Sequence, residues 1–235
     1  METRSHCLYM AKLAQHAGRY DDMLKFMENL VTRFISAGSP LTPDERSLLF
    51  AACKNQTGSL RDALHAMPPK DGQSGHASLA GNYGSKAESE LFELCARILM
   101  LLDSHLMPSA SASESRVFYL KMKGDCHRYL AECKNGSDTK RAVDAAMAAY
   151  KLAEEIAKAE LAPTHPTRLS LMLNFAVFYH DTLREPEYAC GMAREAFDEA
   201  AAQPSRYKSH EGTTASAAHI TQLLRENYAL WVSNM

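Results

Sequence analysis

Lys121, Arg128 and Tyr129 carry the clearest chemistry in this sequence, on the run RVFYLKMKGDCHRYLAE that spans residues 116–132. Lys121 and Arg128 are seven residues apart, which on a helix places them on one face about 10 Å apart along the axis. Tyr129 lies beside Arg128 and offers a hydroxyl donor. A planar guanidinium, a second cation and a phenol converging on one point suit a phosphate, whose oxygens accept short charge-assisted hydrogen bonds. The same spacing also describes a solvated basic face, so the segment by itself leaves both readings open. Asp125 and His127, in the same run, have no paired base, metal-ligand spacing or nucleophile elbow, which argues against an enzyme built around them.

The elements that position these residues are helical almost from end to end, with apolar residues at helical spacing and no alternating β segment. Thr42, Pro43 and Glu45 form a capping signature, with Thr42 as N-cap, Pro43 first in the helix and Glu45 reaching back. Residues 67–84 read as a Gly/Ser/Pro-rich interval that holds a loop, and a further break falls over 108–113. Asn135-Gly136 separates the basic helix from an Ala-rich one through Leu161. Pro163 to Pro166 turns into a helix over 167–183, Pro186 opens another, and 205–216 reads as a polar loop before the last helix. About nine helices with short connections imply antiparallel neighbours, in one all-α domain rather than a repeat array.

The chain has 235 residues, 46% of them hydrophobic and 23% charged, with a net charge of −2. That balance lacks the basic excess of a general nucleic-acid binder. The six cysteines are scattered without metal-ligand spacing and read as small buried residues in a reducing compartment. No apolar run is long enough to span a bilayer and the N-terminus has no signal-peptide core. The expectation is a cytoplasmic protein, with residence in the nucleus also compatible, that uses no cofactor or metal and inserts in no membrane.

Several motifs occur in a fixed order: GRYDDM at 18–23, LTPDERSLL at 41–49 followed by Lys54-Asn55, SRVFYLKMKGD at 115–125 and RYLAE at 128–132. They continue with PTHPTRL at 163–169, LNFAVFY at 173–179, AFDEA at 196–200, QLLREN at 222–227 and Leu230-Trp231. On these motifs the sequence resembles the 14-3-3 phosphoprotein-binding adaptors along nearly its whole length. The resemblance implies one domain over 1–235, cup-shaped, with an amphipathic peptide groove and no catalytic activity. Its N-terminal part, 1–110, would dimerise and supply half of a phosphate clamp, and 111–235 would form the remainder of the groove. The clamp residues carry over as Lys54, Arg61, Arg128 and Tyr129. Lys54 and Arg61 are also seven apart, hence on one helix face.

The resemblance further implies roles for Lys121 as a groove cation, for Asn174 and Asn227 as amides that bond the ligand's main chain, and for Asp181 as the acid that orients the phosphate-binding Arg. Leu173, Val177, Ile220, Leu223 and Leu230 would form the apolar wall. Arg19, Asp22, Tyr83, Lys86 and Glu90 would form the dimer interface, with cross-dimer ion pairs and with apolar packing around Leu13 and Tyr20 supplying most of the affinity. The partners implied are phosphoserine- or phosphothreonine-bearing clients and a second copy or related isoform.

Some positions depart from that pattern. Leu60 replaces an Arg, Ala63 replaces a phosphorylatable Ser, and Cys126 and His127 replace two aromatics. Asp181 is one methylene shorter than the usual Glu, and His219 stands where an apolar residue is usual. The connection at 34–39 and the loop before the last helix both look longer, and no acidic tail follows Trp231 up to Met235. These changes predict altered ligand preference with phosphate recognition retained. They also motivate an alternative, a dimeric scaffold whose degenerate groove binds partners independently of phosphate.

Overall fold

The computed structural model describes residues 3–36, 38–67, 77–133, 136–202 and 211–235. The expected cap at Asn135, residues 68–76 of the 67–84 interval and positions 203–210 lie outside the described residues. Contacts gather into two compact units, Met1–Ala110 and Ser111–Met235. Among the described residues the fold is all-α, and the sole β feature is an isolated bridge between Ser36 and Ser39.

The N-terminal unit holds α1 (Arg4–His16), α2 (Tyr20–Phe34), α3 (Pro43–His65) and α4 (Ala77–Leu101). A π-helical turn, Leu102–Leu106, and a last α turn, Met107–Ser109, continue α4, and the break follows at 110–112, inside the expected stretch. Gly18, at φ 68°, makes the sharp turn from α1 into α2. Met23, Leu24, Met27, Leu30 and Val31 of α2 are fully buried at helical spacing, on a helix packed against α1, α3 and α4.

The capping box of α3 forms as expected. Thr42 Oγ1 accepts from the Glu45 amide at 3.3 Å, and the Thr42 amide donates to Glu45 Oε2 at 2.8 Å. Glu45 also receives Arg4, whose Nε and Nη2 donate to its two oxygens at 2.8 and 2.6 Å and so tie α1 to α3. Burial opposes the charge on Glu45, but the hydrogen bonds from Arg4 and Thr42 outweigh it and hold its pKa below the usual range. The folded-state value is depressed, so this stabilisation is complete above the unfolded pKa of about 4.3 and fades as pH falls through the folded value. Glu45→Gln is therefore expected to cost about 1–3 kcal/mol at pH 7. In thermal melts across pH, the gap between variant and parent should close below about pH 4.

Helix α4 starts at Ala77, inside the stretch read from sequence as a loop. Gly81 and Gly84 lower helix propensity, but Ala87, Leu91, Leu94, Cys95 and Ile98 bury one continuous stripe that extends the helix through them. Gly84 is itself buried, and Met67 Cγ lies 3.7 Å from where a Cβ would stand.

The C-terminal unit holds α5 (Ser113–Cys133), α6 (Ser137–Glu160), α7 (Pro166–Val177), α8 (Pro186–Ala202) and α9 (Glu211–Ser233). That makes nine helical rods among the described residues. The most extensive helix pair is α5 with α6. It is close because α6 presents Ala142, Ala146, Ala149, Ala153 and Ala157 as a buried small-residue stripe. Helix α7 passes into a π-helical turn, Phe178–Thr182, and Arg184 at φ 60° ends it with the Glu185 amide on the Tyr179 carbonyl. Helix α9 begins at Glu211, five residues before the end of the expected 205–216 loop.

Candidate functional site

On α5, the i,i+4 pairs expected of neighbouring turns form between Lys121 and Asp125 and between Arg128 and Glu132. Lys121 Nζ donates to Asp125 Oδ2 at 2.9 Å, and Arg128 Nη1 donates to Glu132 Oε1 at 3.1 Å. Lys121, Asp125 and Arg128 are all buried, at 2%, 5% and 5% exposure, so this is not a solvated basic face. Burial of charge is costly unless it is paired, and here the pairs are made along one helix.

The Arg128 guanidinium lies over the Tyr129 ring, 4.6 Å from its centroid. Its Nε is buried without a hydrogen-bond partner among the described residues. Burial works against its charge, while the oxygens of Tyr150, Tyr129, Asp125 and Glu132 more than offset this and raise its pKa, so it is a permanent cation. Tyr129 is half-buried beside it.

Asp125 is the centre of a buried network that sequence reading did not assign to the site. Tyr150 OH, from α6, donates to its Oδ1 at 2.5 Å. Asn174 Nδ2, from α7, donates to Oδ1 at 2.8 Å and to Oδ2 at 3.0 Å. Burial pushes the Asp125 pKa up, but the charges of Lys121 and Arg128 and the bonds from Lys121 and Tyr150 bring the net shift below the usual value. Burial and the adjacent Asp125 push Tyr150 well up, which keeps its hydroxyl a donor. The Tyr150 ring rests on Phe175 and Phe178, with centroids at 5.1 and 5.5 Å.

Asp181 is exposed on the π-helical turn, 2.6 Å from His180 Nδ1, and the carboxylate that reaches Arg128 is Glu132. The π turn shifts the helical phase, and His180 stacks on Trp231 of α9 at 4.7 Å and 14°. Helix α9 buries Leu224 and Trp231, leaving Ile220, Leu223 and Asn227 half-buried and Leu230 57% exposed. Leu173 and Val177 on α7 are likewise half-buried, so the apolar wall residues are not ordinary core. Cys126 is buried, and His219 is exposed.

In the N-terminal unit, Lys54 is exposed and makes no ion pair among the described residues, while Arg61 is half-buried two turns further along α3. Leu60 lines a cleft of about 420 Å³ with Tyr20, Gln56, Glu90 and Arg97. Of the expected dimer residues, Arg19 pairs with Asp22 at 2.5 Å and Lys86 with Glu90 at 3.8 Å, each within its own chain segment. Tyr83 is 61% exposed and Leu13 49% exposed, which leaves apolar area uncovered in the single chain.

Among the described residues no group of His, Cys, Asp and Glu is placed to hold a metal, and no helix is long and apolar enough to cross a membrane. A sequence model of the 14-3-3 protein family matches residues 10–232. The 14-3-3-like protein D of Nicotiana tabacum is 51% identical over 99% of this chain and 94% of its own length. The 14-3-3-like protein G-BOX factor 14 kappa of Arabidopsis thaliana is 50% identical over 99% of this chain and 95% of its own. The 14-3-3-like protein B of Glycine max is 48% identical, again over 99% and 95%.

Proposed function

Because the chain belongs to the 14-3-3 family, and so is a phosphoprotein-binding adaptor, we propose that it grips client phosphoserine or phosphothreonine with Lys54, Arg61, Arg128 and Tyr129. The observation that carries this assignment is the state of Arg128. It is a buried, permanent cation, held on one side by Glu132 and on its face by Tyr129. A phosphate arriving there exchanges water for a charge-assisted bond in a site whose side chain is already ordered, which limits the entropy lost on binding.

Asn174 and Asn227 bond the client's main chain, and Leu173, Val177, Ile220, Leu223 and Leu230 cover its apolar side chains. Their partial exposure suits that task, since fully buried residues would have no surface to offer. Members of the family are adaptors rather than enzymes and form dimers. For this chain, Arg19, Asp22, Tyr83, Lys86 and Glu90 form the interface in our reading. There the Arg19–Asp22 and Lys86–Glu90 pairs exchange partners across the two copies, and Leu13 and Tyr20 supply the apolar contact. Two linked grooves then raise avidity for a doubly phosphorylated client by making the second contact intramolecular.

The test is calorimetric titration of a phosphopeptide and its unphosphorylated twin. Binding of the phosphopeptide at micromolar Kd or tighter, and at least about a hundredfold weaker binding of the twin, is expected from the loss of one or two charge-assisted hydrogen bonds. Equal binding of the two peptides, or client capture that survives phosphatase treatment, would instead point to a phosphate-independent scaffold.

A further inference from the structure

Two prolines of the chain follow a hydroxyl residue, in Ser39-Pro40 and Thr42-Pro43. Both dipeptides fall in the connection between α2 and α3, which Ile35 and Leu41 anchor by burial. Between those anchors the Ser39 amide donates to the Ser36 carbonyl at 2.9 Å, and the turn sets half-buried Ser39 between exposed Gly38 and Pro40. A residue before proline is kept out of the helical region and pushed toward extended backbone. Extended Ser-Pro is the form that a kinase with a pocket for the following proline takes as substrate. Thr42 is committed otherwise, because its hydroxyl oxygen caps α3 and its amide bonds Glu45.

Arg4 meets this serine from α1. Its Nη1 donates to Ser39 Oγ at 2.8 Å and its Nη2 to the Pro40 carbonyl at 3.0 Å, while Nε and Nη2 hold Glu45. Glu45 is buried, so the guanidinium is fixed from behind and presents its remaining edge to the hydroxyl. A phosphoryl group on that oxygen would bring about two negative charges and three strong acceptors to a planar donor already in place. We propose that Ser39 is a phosphorylation site for a proline-directed Ser/Thr kinase, and that Arg4 receives its phosphate and thereby fastens α1 to α3. In the transfer, Ser39 Oγ attacks the γ-phosphorus of ATP. An Oγ–P bond forms, the bond from that phosphorus to the bridging oxygen breaks and releases ADP, and the hydroxyl proton passes to the kinase's base. The charges that face the phosphate are Arg4, in direct contact, and Glu45 across the guanidinium, so attraction outweighs repulsion. The site lies in the N-terminal unit and depends on nothing in the peptide groove.

The experiment treats the folded full chain with ATP and a proline-directed kinase of the mitogen-activated class, and maps the product by mass spectrometry. Phosphate is expected on Ser39 and not on Thr42, and its incorporation should be lost in Ser39→Ala and in Pro40→Ala, which keeps the serine. The receiving role is read by phosphorus NMR of the phosphorylated chain. Its second ionisation should fall below the usual value of about 6, by roughly half a unit or more, because Arg4 favours the dianion. Arg4→Gln should return it to the usual value. If that variant does not fold, Arg4→Lys carries the test: it keeps the charge but not the fork, and should show a smaller shift. In thermal melts, phosphorylation should raise the melting temperature of the parent by about 2–4 °C and leave that of Arg4→Gln unmoved.

A folded chain that takes up no phosphate on Ser39 overturns the proposal, as does uptake confined to Thr42. Phosphoserine introduced at position 39 during synthesis tests the receiver separately from the kinase. An ionisation that is the same in the parent and in the Arg4 variants, or a melting temperature that falls on phosphorylation, overturns the role of Arg4.

Discussion

Arg128→Ala is expected to weaken phosphopeptide binding by at least about a hundredfold, with little effect on the unphosphorylated peptide. Hydrogen bonds to charged groups contribute about 1.5–3 kcal/mol each, so losing one costs roughly 10–150-fold and losing a two-pronged contact costs more. The substitution also removes the cation over Tyr129 and takes one partner from Glu132, whose carboxylate stands near the proposed phosphate position. Both changes act in the same direction. Arg128→Lys separates charge from shape. It keeps the positive charge but loses the planar fork and the stacking on Tyr129, so its affinity should fall between parent and alanine. Asp125 retains Lys121, Tyr150 and Asn174 in either variant, so the melting temperature should move by only a few degrees. Titrations of both variants against the phosphorylated and unphosphorylated peptides check this. A loss equal for the two peptides would mean that Arg128 acts on the fold and not on the phosphate.

Sequence showed what is local and missed what is brought together across the chain. The cap at Thr42 was legible because all of its parts lie within four residues. The cations of α5 were legible for the same reason, whereas their pairing with Asp125 and Glu132, four residues after each, is seen only in the structure. Tyr150 gave no signal, because nothing about an Ala-rich helix says that its one buried tyrosine will meet a carboxylate 25 positions earlier. The start of α4 was missed because Gly81 and Gly84 punctuate the local pattern, and the packing of Leu91, Leu94 and Ile98 overrides them. Asp181 was placed by resemblance to a longer acid. The π-helical turn that carries it, which no periodicity announces, sets it beside His180 at the surface.

Gly124→Ala is expected to destabilise the C-terminal unit by about 1–3 kcal/mol, the usual cost of forcing a methyl group into a packed core. At roughly 2–4 °C per kcal/mol for a chain of this size, the melting temperature should fall by about 2–12 °C. A Cβ at Gly124 would stand 2.6, 2.7 and 2.8 Å from Cε1, Cδ1 and Cζ of Tyr150, closer than carbon atoms approach. Relief requires the ring to retreat, and it has nowhere to go. Phe175 and Phe178 hold it from α7 and the π turn that continues it, and its hydroxyl is fixed on Asp125 at 2.5 Å. Alanine is otherwise the better helix former by about 0.5–1 kcal/mol, so the clash must outweigh a gain in propensity. Gly191 provides the contrast. It too lies inside a helix, but nothing stands within 4 Å of its missing Cβ, so Gly191→Ala should leave stability unchanged or raise it slightly. Opposite signs in thermal melts of the two variants would assign the penalty to the Tyr150 contact. Any retreat of Tyr150 also stretches its bond to Asp125, so Gly124→Ala should lose part of its phosphopeptide affinity at temperatures where it remains fully folded, and Gly191→Ala should lose none.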